Sequence, residues 1–175
     1  MHQYRRAGQV TALASYLAPE QRDAVVEHIL CVDELTAAGE SLKARIYRIV
    51  GPGSADAFDR TGVANALGPF SRDVECVSEM IEGDTAVVSI LVGGRLPLEN
   101  VHLVRADDRW LIQTDPPIPG VATELRKLAR VLYRVADEVE RRQLTADQIE
   151  KELTLRQRPV LERLDQLVRA TQPDR

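Results

Sequence analysis

Cysteine, histidine and aromatic residues are scarce in this sequence, which removes several classes of site. Two cysteines, three histidines and one tryptophan occur among 175 residues, and aromatic residues make up 4% of the chain. Cys31 and Cys76 show neither a CxxC motif nor a metal-ligand spacing, so they are expected to be two free, buried thiols. With few aromatics and no basic stripe, recognition of nucleic-acid bases by stacking is not expected.

The common motifs of catalytic and cofactor sites are also absent. No GxGxxG, GxxxxGK[ST], HExxH or GxSxG pattern occurs, so neither a cofactor nor a metal is predicted. The chain has a net charge of −4, and many of its arginines alternate with acids, which again argues against a nucleic-acid partner. No apolar run approaches the roughly 18 residues of a membrane span, and no signal peptide pattern is visible. The cytoplasm is therefore the default expectation.

Hydrophobic periodicity predicts two helices in the first third of the chain. Residues 9–18 form a short helix that a proline stops, and residues 21–50 form a long one. The apolar residues of the long helix fall on one broad face, at steps of about 100° per residue. Gly-Pro-Gly at 51–53 ends this helix. A short helix at 54–58 and a loop or single turn at 64–69 are expected next.

The period then changes to that of β-strands. Four segments are rich in β-branched or alternating apolar residues: 74–81, 85–92, 101–105 and 110–114. Their short connections predict an antiparallel meander of about four strands, which consecutive prolines at 116 and 117 end. In the first strand, Glu75 and Glu79 fall on the same face, which is interpreted as solvated.

After Gly120 the helical period returns. Apolar residues spaced four, three, four, three and four apart form a heptad-like seam: Val121, Leu125, Leu128, Leu132, Val135 and Val139. Residues 145–148 (Thr-Ala-Asp-Gln) give a capping-box pattern that starts a second helix, which Pro159 is expected to break or kink near Gln157. The apolar stripe of that helix covers the seam either in cis, as an antiparallel hairpin, or in trans from another subunit.

Residues 74–115 show a recognisable order of strand and turn sequences. A strand ends in Glu-Gly-Asp at 82–84 and is followed by Thr-Ala-Val-Val, and Val-His-Leu-Val-Arg at 101–105 leads through an acidic turn to Arg-Trp-Leu-Ile at 109–112. Upstream, residues 4–17 look like the end of a first helix, a turn and a second helix. This pattern resembles the nuclear transport factor 2-like superfamily, which includes ketosteroid isomerase-like and polyketide cyclase-like proteins.

The resemblance covers residues 1–118 and implies a cone-shaped α+β domain, with a pocket between the concave sheet and the long helix. Residues 119–175 form the helical hairpin and resemble the tail of uncharacterised bacterial members. Almost nothing precedes Tyr4, so the first helix is expected to be incomplete and the chain to be truncated or part of a longer protein. The predicted fold class is α+β: a curved antiparallel sheet of about four strands packed on a long helix, followed by a C-terminal helical hairpin.

Polar residues on the two helices are the first candidates for a site. With Val25 at zero on the helical wheel, His28 lies at about 300°, inside the apolar face, so it is a core histidine or a pocket-lining general base. Asp33 lies at about 80°, at the edge of that face, and is a surface carboxylate or a base. Tyr16 and Tyr47 are core residues or hydroxyl donors in a pocket.

Three residues of the predicted sheet complete the candidate set. His102 and Gln113 either reach the concave face or face solvent, because the sequence does not fix the register of their strands. Trp110 is a core or pocket-lining residue. The predicted pocket lining is thus His28, His102, Gln113 and Trp110.

Three functions fit these observations. The first is a non-enzymatic binding or protein-interaction module, with a homodimer as one form. The second is an isomerase or dehydratase that uses the cone pocket, with His28 or Asp33 as base and a hydroxyl donor from Tyr16 or Tyr47. The third is a carrier or sensor of a small apolar ligand. The predicted partners are therefore a second copy of the chain or a small apolar ligand.

Overall fold

The computed structural model describes residues 7–52 and 67–171. It confirms the predicted fold class, with a long helix, a curved antiparallel sheet of four strands and two C-terminal helices. The predicted short helix at 54–58 and the first part of the predicted turn at 64–69 lie outside the described residues.

Contacts divide the chain into two compact units. The first unit contains residues 7–30 and 67–117, and the second contains residues 31–52 and 118–171. The sheet therefore lies wholly in the first unit, and the C-terminal helices lie in the second. The predicted domain boundary after residue 118 stays a prediction.

Two helical segments precede the sheet. Val10–Tyr16 is a 3-10 helix within the segment that was predicted to be helical. Helix α1, Arg22–Ile49, agrees with the long helix predicted from the periodicity. Val25 and Ile29, one turn apart on α1, are both buried, as the shared face of residues four apart requires.

Four antiparallel strands form one sheet in sequence order: β1 (Val74–Glu82), β2 (Thr85–Val92), β3 (Arg95–Ala106) and β4 (Arg109–Gln113). β3 begins earlier than predicted, because Gly93 and Gly94 form the hairpin turn itself. Their φ angles are 60° and 68°, the left-handed region that both central residues of a type I′ turn occupy and that glycine adopts without strain.

A bulge in β1 changes which of its side chains share a face. The register shifts after Cys76, so Cys76 opposes Ile90 while Glu79 opposes Val88. Opposite residues of an antiparallel pair point to the same face, and Val88 and Ile90 share one face of β2 because they are two residues apart. Glu79 therefore lies on the face of Cys76 and not, as predicted, on the face of Glu75.

Two helices follow the sheet, α2 (Val121–Glu140) and α3 (Ala146–Thr171). One half of the predicted capping box is present at the start of α3, because the Gln148 side chain accepts from the Thr145 N–H, whereas the Thr145 hydroxyl donates to Gln148 Oε1 instead of accepting from the Gln148 N–H. The Thr145 N–H donates to Gln148 Oε1 at 2.9 Å, and the Gln148 N–H donates to the Thr145 carbonyl at 3.0 Å. These bonds satisfy backbone groups that the first turn of a helix leaves without partners.

The heptad-like seam of α2 is covered in cis. Its buried residues pack in one cluster with three residues of α3: Ile149, Leu153 and Val160. The same cluster contains four residues from the second half of α1: Leu35, Ala38, Leu42 and Ile46. The core of the second unit is therefore built from three helices, whereas the predicted hairpin had two.

Two ion pairs show the direction of α1 against α2. Arg45 pairs with Asp137, and Arg48 pairs with Glu140. Both partners advance by the same number of residues along their helices, so α1 and α2 run parallel. The short connection between α2 and α3 makes that pair antiparallel.

Pro159 does not break α3, so the predicted break near Gln157 is wrong, and the alternative of a kink there stays a prediction. The helix continues through Pro159 to Thr171. A proline leaves the carbonyl four residues before it without a helical donor, and here that carbonyl belongs to Leu155. Leu155 is exposed, so water can donate a hydrogen bond to its carbonyl. Val160 is buried and packs the following turn of the helix against the core.

Candidate ligand-binding cavity

A cavity of about 530 Å³ lies on the buried face of the sheet in the first unit. Six residues of β2, β3 and β4 form its floor: Val88, Ile90, Val101, Leu103, Trp110 and Ile112. Within each strand these residues are two positions apart, which places their side chains on a single face. The volume falls within the range of small-molecule sites in proteins.

Other elements complete the wall of the cavity. They contribute Ser15 and Tyr16 from the first 3-10 helix, Pro69 from a second one (Gly68–Phe70), Val74 and Cys76 from β1, and Arg109 from β4. Leu17 follows Tyr16 and forms a parallel bridge with Ile112, which holds the first 3-10 helix beside β4. Arg109 and Trp110 alternate along β4, so Arg109 contributes to the rim, where the strand begins, rather than to the floor.

The lining is mainly apolar, with a few groups that can form hydrogen bonds. These are the hydroxyls of Ser15 and Tyr16, the Cys76 thiol, the Trp110 indole N–H and the Arg109 guanidinium. No carboxylate and no imidazole lines the cavity among the residues that the structure describes. This arrangement can enclose an apolar molecule and orient a polar group on it, but it lacks the usual bases for proton transfer.

The structure places the predicted residues His102 and Gln113 on the other face of the sheet, which corrects their assignment to the pocket. They oppose each other across β3 and β4, and both are exposed. Their neighbours Leu103 and Ile112 line the cavity, so alternation turns His102 and Gln113 away from it. Trp110, by contrast, lies in the cavity floor.

The predicted catalytic residues do not meet in this cavity. His28 is half-buried and does not line it; its Nδ1 has no partner in the described part of the chain, and burial lowers its pKa. Asp33 and Tyr47 belong to the second unit, and Tyr47 is 60% exposed. Of the candidate bases and donors, Tyr16 alone lines the cavity.

Three polar residues of the lining were not among the predicted site residues: Ser15, Cys76 and Arg109. Cys76 was predicted to be a buried thiol, but it is exposed. A signal for its place in the lining was present, because it alternates with the buried Val74 before the bulge. Arg109 directly precedes Trp110, a predicted lining residue, so it could have been predicted to lie near the pocket. The place of Ser15 in the lining depends on the bridge between Leu17 and Ile112, and no local sequence pattern predicts that bridge.

Comparisons with known proteins add no family to this description. No family model, curated protein or solved structure matches the chain. Within residues 7–52 and 67–171, no three or more His, Cys, Asp or Glu side chains form a group that could hold a metal ion. In the same ranges, no helix has the length and apolarity needed to cross a membrane.

Proposed function

We propose that the chain is a non-enzymatic binding module that holds a small apolar ligand in the cavity of its first unit. The observation that carries this proposal is the cavity itself, about 530 Å³ in volume on the buried face of the sheet. Its mainly apolar walls and few polar groups match the usual make-up of ligand sites. Burial of an apolar ligand there would contribute about 25 cal/mol per Å² of apolar surface, partly offset by the lost freedom of the ligand.

The lining supports binding over isomerase or dehydratase chemistry. Proton abstraction next to a carbonyl needs a positioned base as well as an oxyanion donor. Tyr16 offers a hydroxyl, but His28 and Asp33, the candidate bases, are not among the lining residues. A binding role requires neither group.

A protein-interaction role is the alternative. Its main support was the heptad-like seam, and the helical core of the second unit covers that seam in cis. Exposed apolar side chains do occur on β1: Val77, Met80 and Ile81. A homodimer through the sheet therefore stays a proposal, and sedimentation at low protein concentration tests it. A monomer there would leave the ligand-binding function unaffected and remove the homodimer.

We also propose that residues 1–118 belong to the nuclear transport factor 2-like superfamily. The order of a 3-10 helix, a long helix and a curved antiparallel sheet supports this proposal. The cavity on the buried face of the sheet would then correspond to the sheet side of the pocket that the resemblance implies, although no residue of α1 lines it. A flat or parallel sheet in an experimental structure would contradict it.

The single tryptophan of the chain gives a direct test of ligand binding. Trp110 is that residue and lines the cavity, so its emission reports what happens there. We expect the neutral aromatic amide naphthalene-2-carboxamide to quench this emission saturably, with the same dissociation constant by calorimetry. The Val88→Phe variant should bind the amide much more weakly, because the added ring occupies the cavity.

Val87→Phe is the matched control for this variant. Val87 is the neighbour of Val88, is also half-buried, and points to the opposite face of β2. It should bind the amide as the wild type does. Equal affinities of Val88→Phe and the wild type would contradict the proposal, as would the absence of binding to the wild type.

The two cysteines provide a second, independent reading of the same site. Cys76 is exposed and lines the cavity, whereas Cys31 is buried. Alkylation of Cys76 by N-ethylmaleimide should slow in the presence of saturating naphthalene-2-carboxamide, while Cys31 stays unreactive in the folded protein. Unchanged labelling of Cys76 would place the bound amide elsewhere.

A further inference from the structure

Four of the five hydrogen-bonding side chains of the cavity lie at one end, and the fifth, the weakly polar Cys76 thiol, lies on β1. Ser15 and Tyr16 precede Leu17, and Trp110 precedes Ile112, the partner of Leu17 in the parallel bridge. Ser15, Tyr16 and Trp110 all line the cavity, and the bridge places the end of the 3-10 helix beside β4. The cavity thus has a polar end, defined by Ser15, Tyr16, Arg109 and Trp110.

The opposite end of the cavity is apolar. It is formed by Val74 and Cys76 of β1 with Ile90 of β2. The strand order β1-β2-β3-β4 separates β1 from β4 by three strand spacings, which is about 14 Å. A ligand that fills the cavity therefore meets hydrogen-bonding groups at one end and apolar side chains at the other.

The charges around the cavity favour an anion at the polar end. The Arg109 side chain is exposed and forms no hydrogen bond or ion pair with any residue of 7–52 or 67–171. Arg105 is paired with Asp108 at 2.8 Å, and the carboxylate of Asp107 in the same turn does not line the cavity. Among the described residues that line the cavity, Arg109 is the charged one, and an anion could pair with it.

Carboxylates lie toward the other end of the same face. Glu79 opposes Val88, and Glu99 opposes Ile90, so both occupy the face that carries the cavity. Neither lines the cavity, but their negative charge would repel an anionic group placed toward β1. The two acids and Arg109 thus favour the same orientation of a negatively charged ligand.

We infer that the ligand is an amphipathic monocarboxylate, with its apolar body over β1 and β2 and its carboxylate at the polar end, paired with Arg109. This inference rests on the proposed function, because it names the class of ligand for the same cavity. A guanidinium can donate two parallel hydrogen bonds to a carboxylate. The Ser15 hydroxyl at the same end already donates to the Ala12 carbonyl at 3.0 Å, so Arg109 is the group that would hold the carboxylate.

A matched pair of ligands tests the charge. Naphthalene-2-carboxylate and naphthalene-2-carboxamide have nearly the same shape, and they differ in the negative charge. We expect the carboxylate to bind the wild-type protein about fivefold more tightly, the size of effect expected for one partly exposed ion pair. Added salt should reduce this preference and leave the affinity for the amide nearly unchanged.

Arg109→Gln should abolish the preference for the carboxylate over the amide, and an unchanged circular dichroism spectrum shows that the variant is folded. Arg95→Gln is the control, since Arg95 is exposed at the other end of β3 and its loss changes the net charge equally. A preference that is absent in the wild type, or that survives in Arg109→Gln, would overturn the inference. Binding of the amide without that preference would leave the proposed function standing, whereas failure of both ligands to bind would remove both proposals.

Discussion

The backbone of Leu17 forms a parallel bridge with that of Ile112, and this contact attaches the first 3-10 helix to the edge strand β4. Leu17 is completely buried and Ile112 is 5% exposed. Ser15 and Trp110, which lie two positions before Leu17 and Ile112 respectively, both line the cavity. A single contact between distant parts of the sequence therefore builds the polar end of the cavity.

Leu17→Ala should destabilise the protein by about 2–5 kcal/mol, because it removes a fully buried side chain and leaves a cavity. Leu96→Ala is the control, since Leu96 is 81% exposed in the same unit and its loss should cost less than about 0.5 kcal/mol. Urea unfolding followed by circular dichroism measures both changes. Equal effects of the two substitutions would contradict the burial of Leu17.

Ile46→Ala tests whether the second half of α1 belongs to the helical core. Ile46 is completely buried in the cluster that also contains residues of α2 and α3. The substitution should lower the free energy of unfolding by about 2–5 kcal/mol. The adjacent Tyr47 is exposed, so Tyr47→Ala should have a much smaller effect. A similar loss in both variants would show that α1 does not pack as described.

Much of the fold follows from local patterns in the sequence. β2 has the predicted bounds, and α1 and α2 lie where the apolar period of 3.6 residues placed them. Local patterns failed where one residue type has two uses. Gly93 and Gly94 can end a strand or turn a hairpin, and a proline at 159 is tolerated where the unpaired carbonyl of Leu155 faces water.

The site was less predictable than the fold, because it depends on which elements pack against each face of a helix or strand. The helical wheel places His28 inside the apolar face of α1, where the residue is half-buried, but the wheel cannot say which cavity, if any, that face meets. His102 and Gln113 were decided by the register, since a shift of one residue would have exchanged them with the lining residues Leu103 and Ile112. The bulge after Cys76 reversed the face of Glu79 in the same way.

Arg156 links the two C-terminal helices through two carboxylates. It lies 2.8 Å from Glu138 of α2 and 2.8 Å from Glu152 of α3, and the hydrogen bond with Glu138 is the main cause that raises its pKa. Arg156→Gln should cost at most about 1 kcal/mol, less at high salt, because the pair is partly exposed. Arg158, which pairs with Glu162 within α3 alone, is the control, and Arg158→Gln should change stability less. Equal losses in low salt would contradict a linking role.

His28 should make the stability of the protein depend on pH. Burial lowers its pKa in the folded state below the usual 6.5, so the unfolded chain takes up a proton first as the pH falls. Stability should therefore decrease as the pH drops below about 6.5, until the folded-state pKa is passed. In His28→Gln this part of the pH dependence should disappear, whereas His102→Gln, at an exposed position, should retain it. Denaturant unfolding between pH 7.5 and 5 measures the difference, and identical profiles for His28→Gln and the wild type would contradict it.

Two glycines of the second unit should respond in opposite ways to the same substitution. Gly39 lies inside α1 with open space where a Cβ would be placed, so Gly39→Ala should stabilise the protein by about 0.5–1 kcal/mol through better helix propensity. Gly120 precedes α2 with a φ of +87°, and a Cβ there would lie 3.4 Å from the Leu167 side chain. Gly120→Ala should destabilise the protein by about 1–2 kcal/mol, because an L-residue is strained in the left-handed region. Thermal and urea unfolding of both variants measure the signs, and stabilisation by Gly120→Ala would show that the chain enters α2 in another conformation.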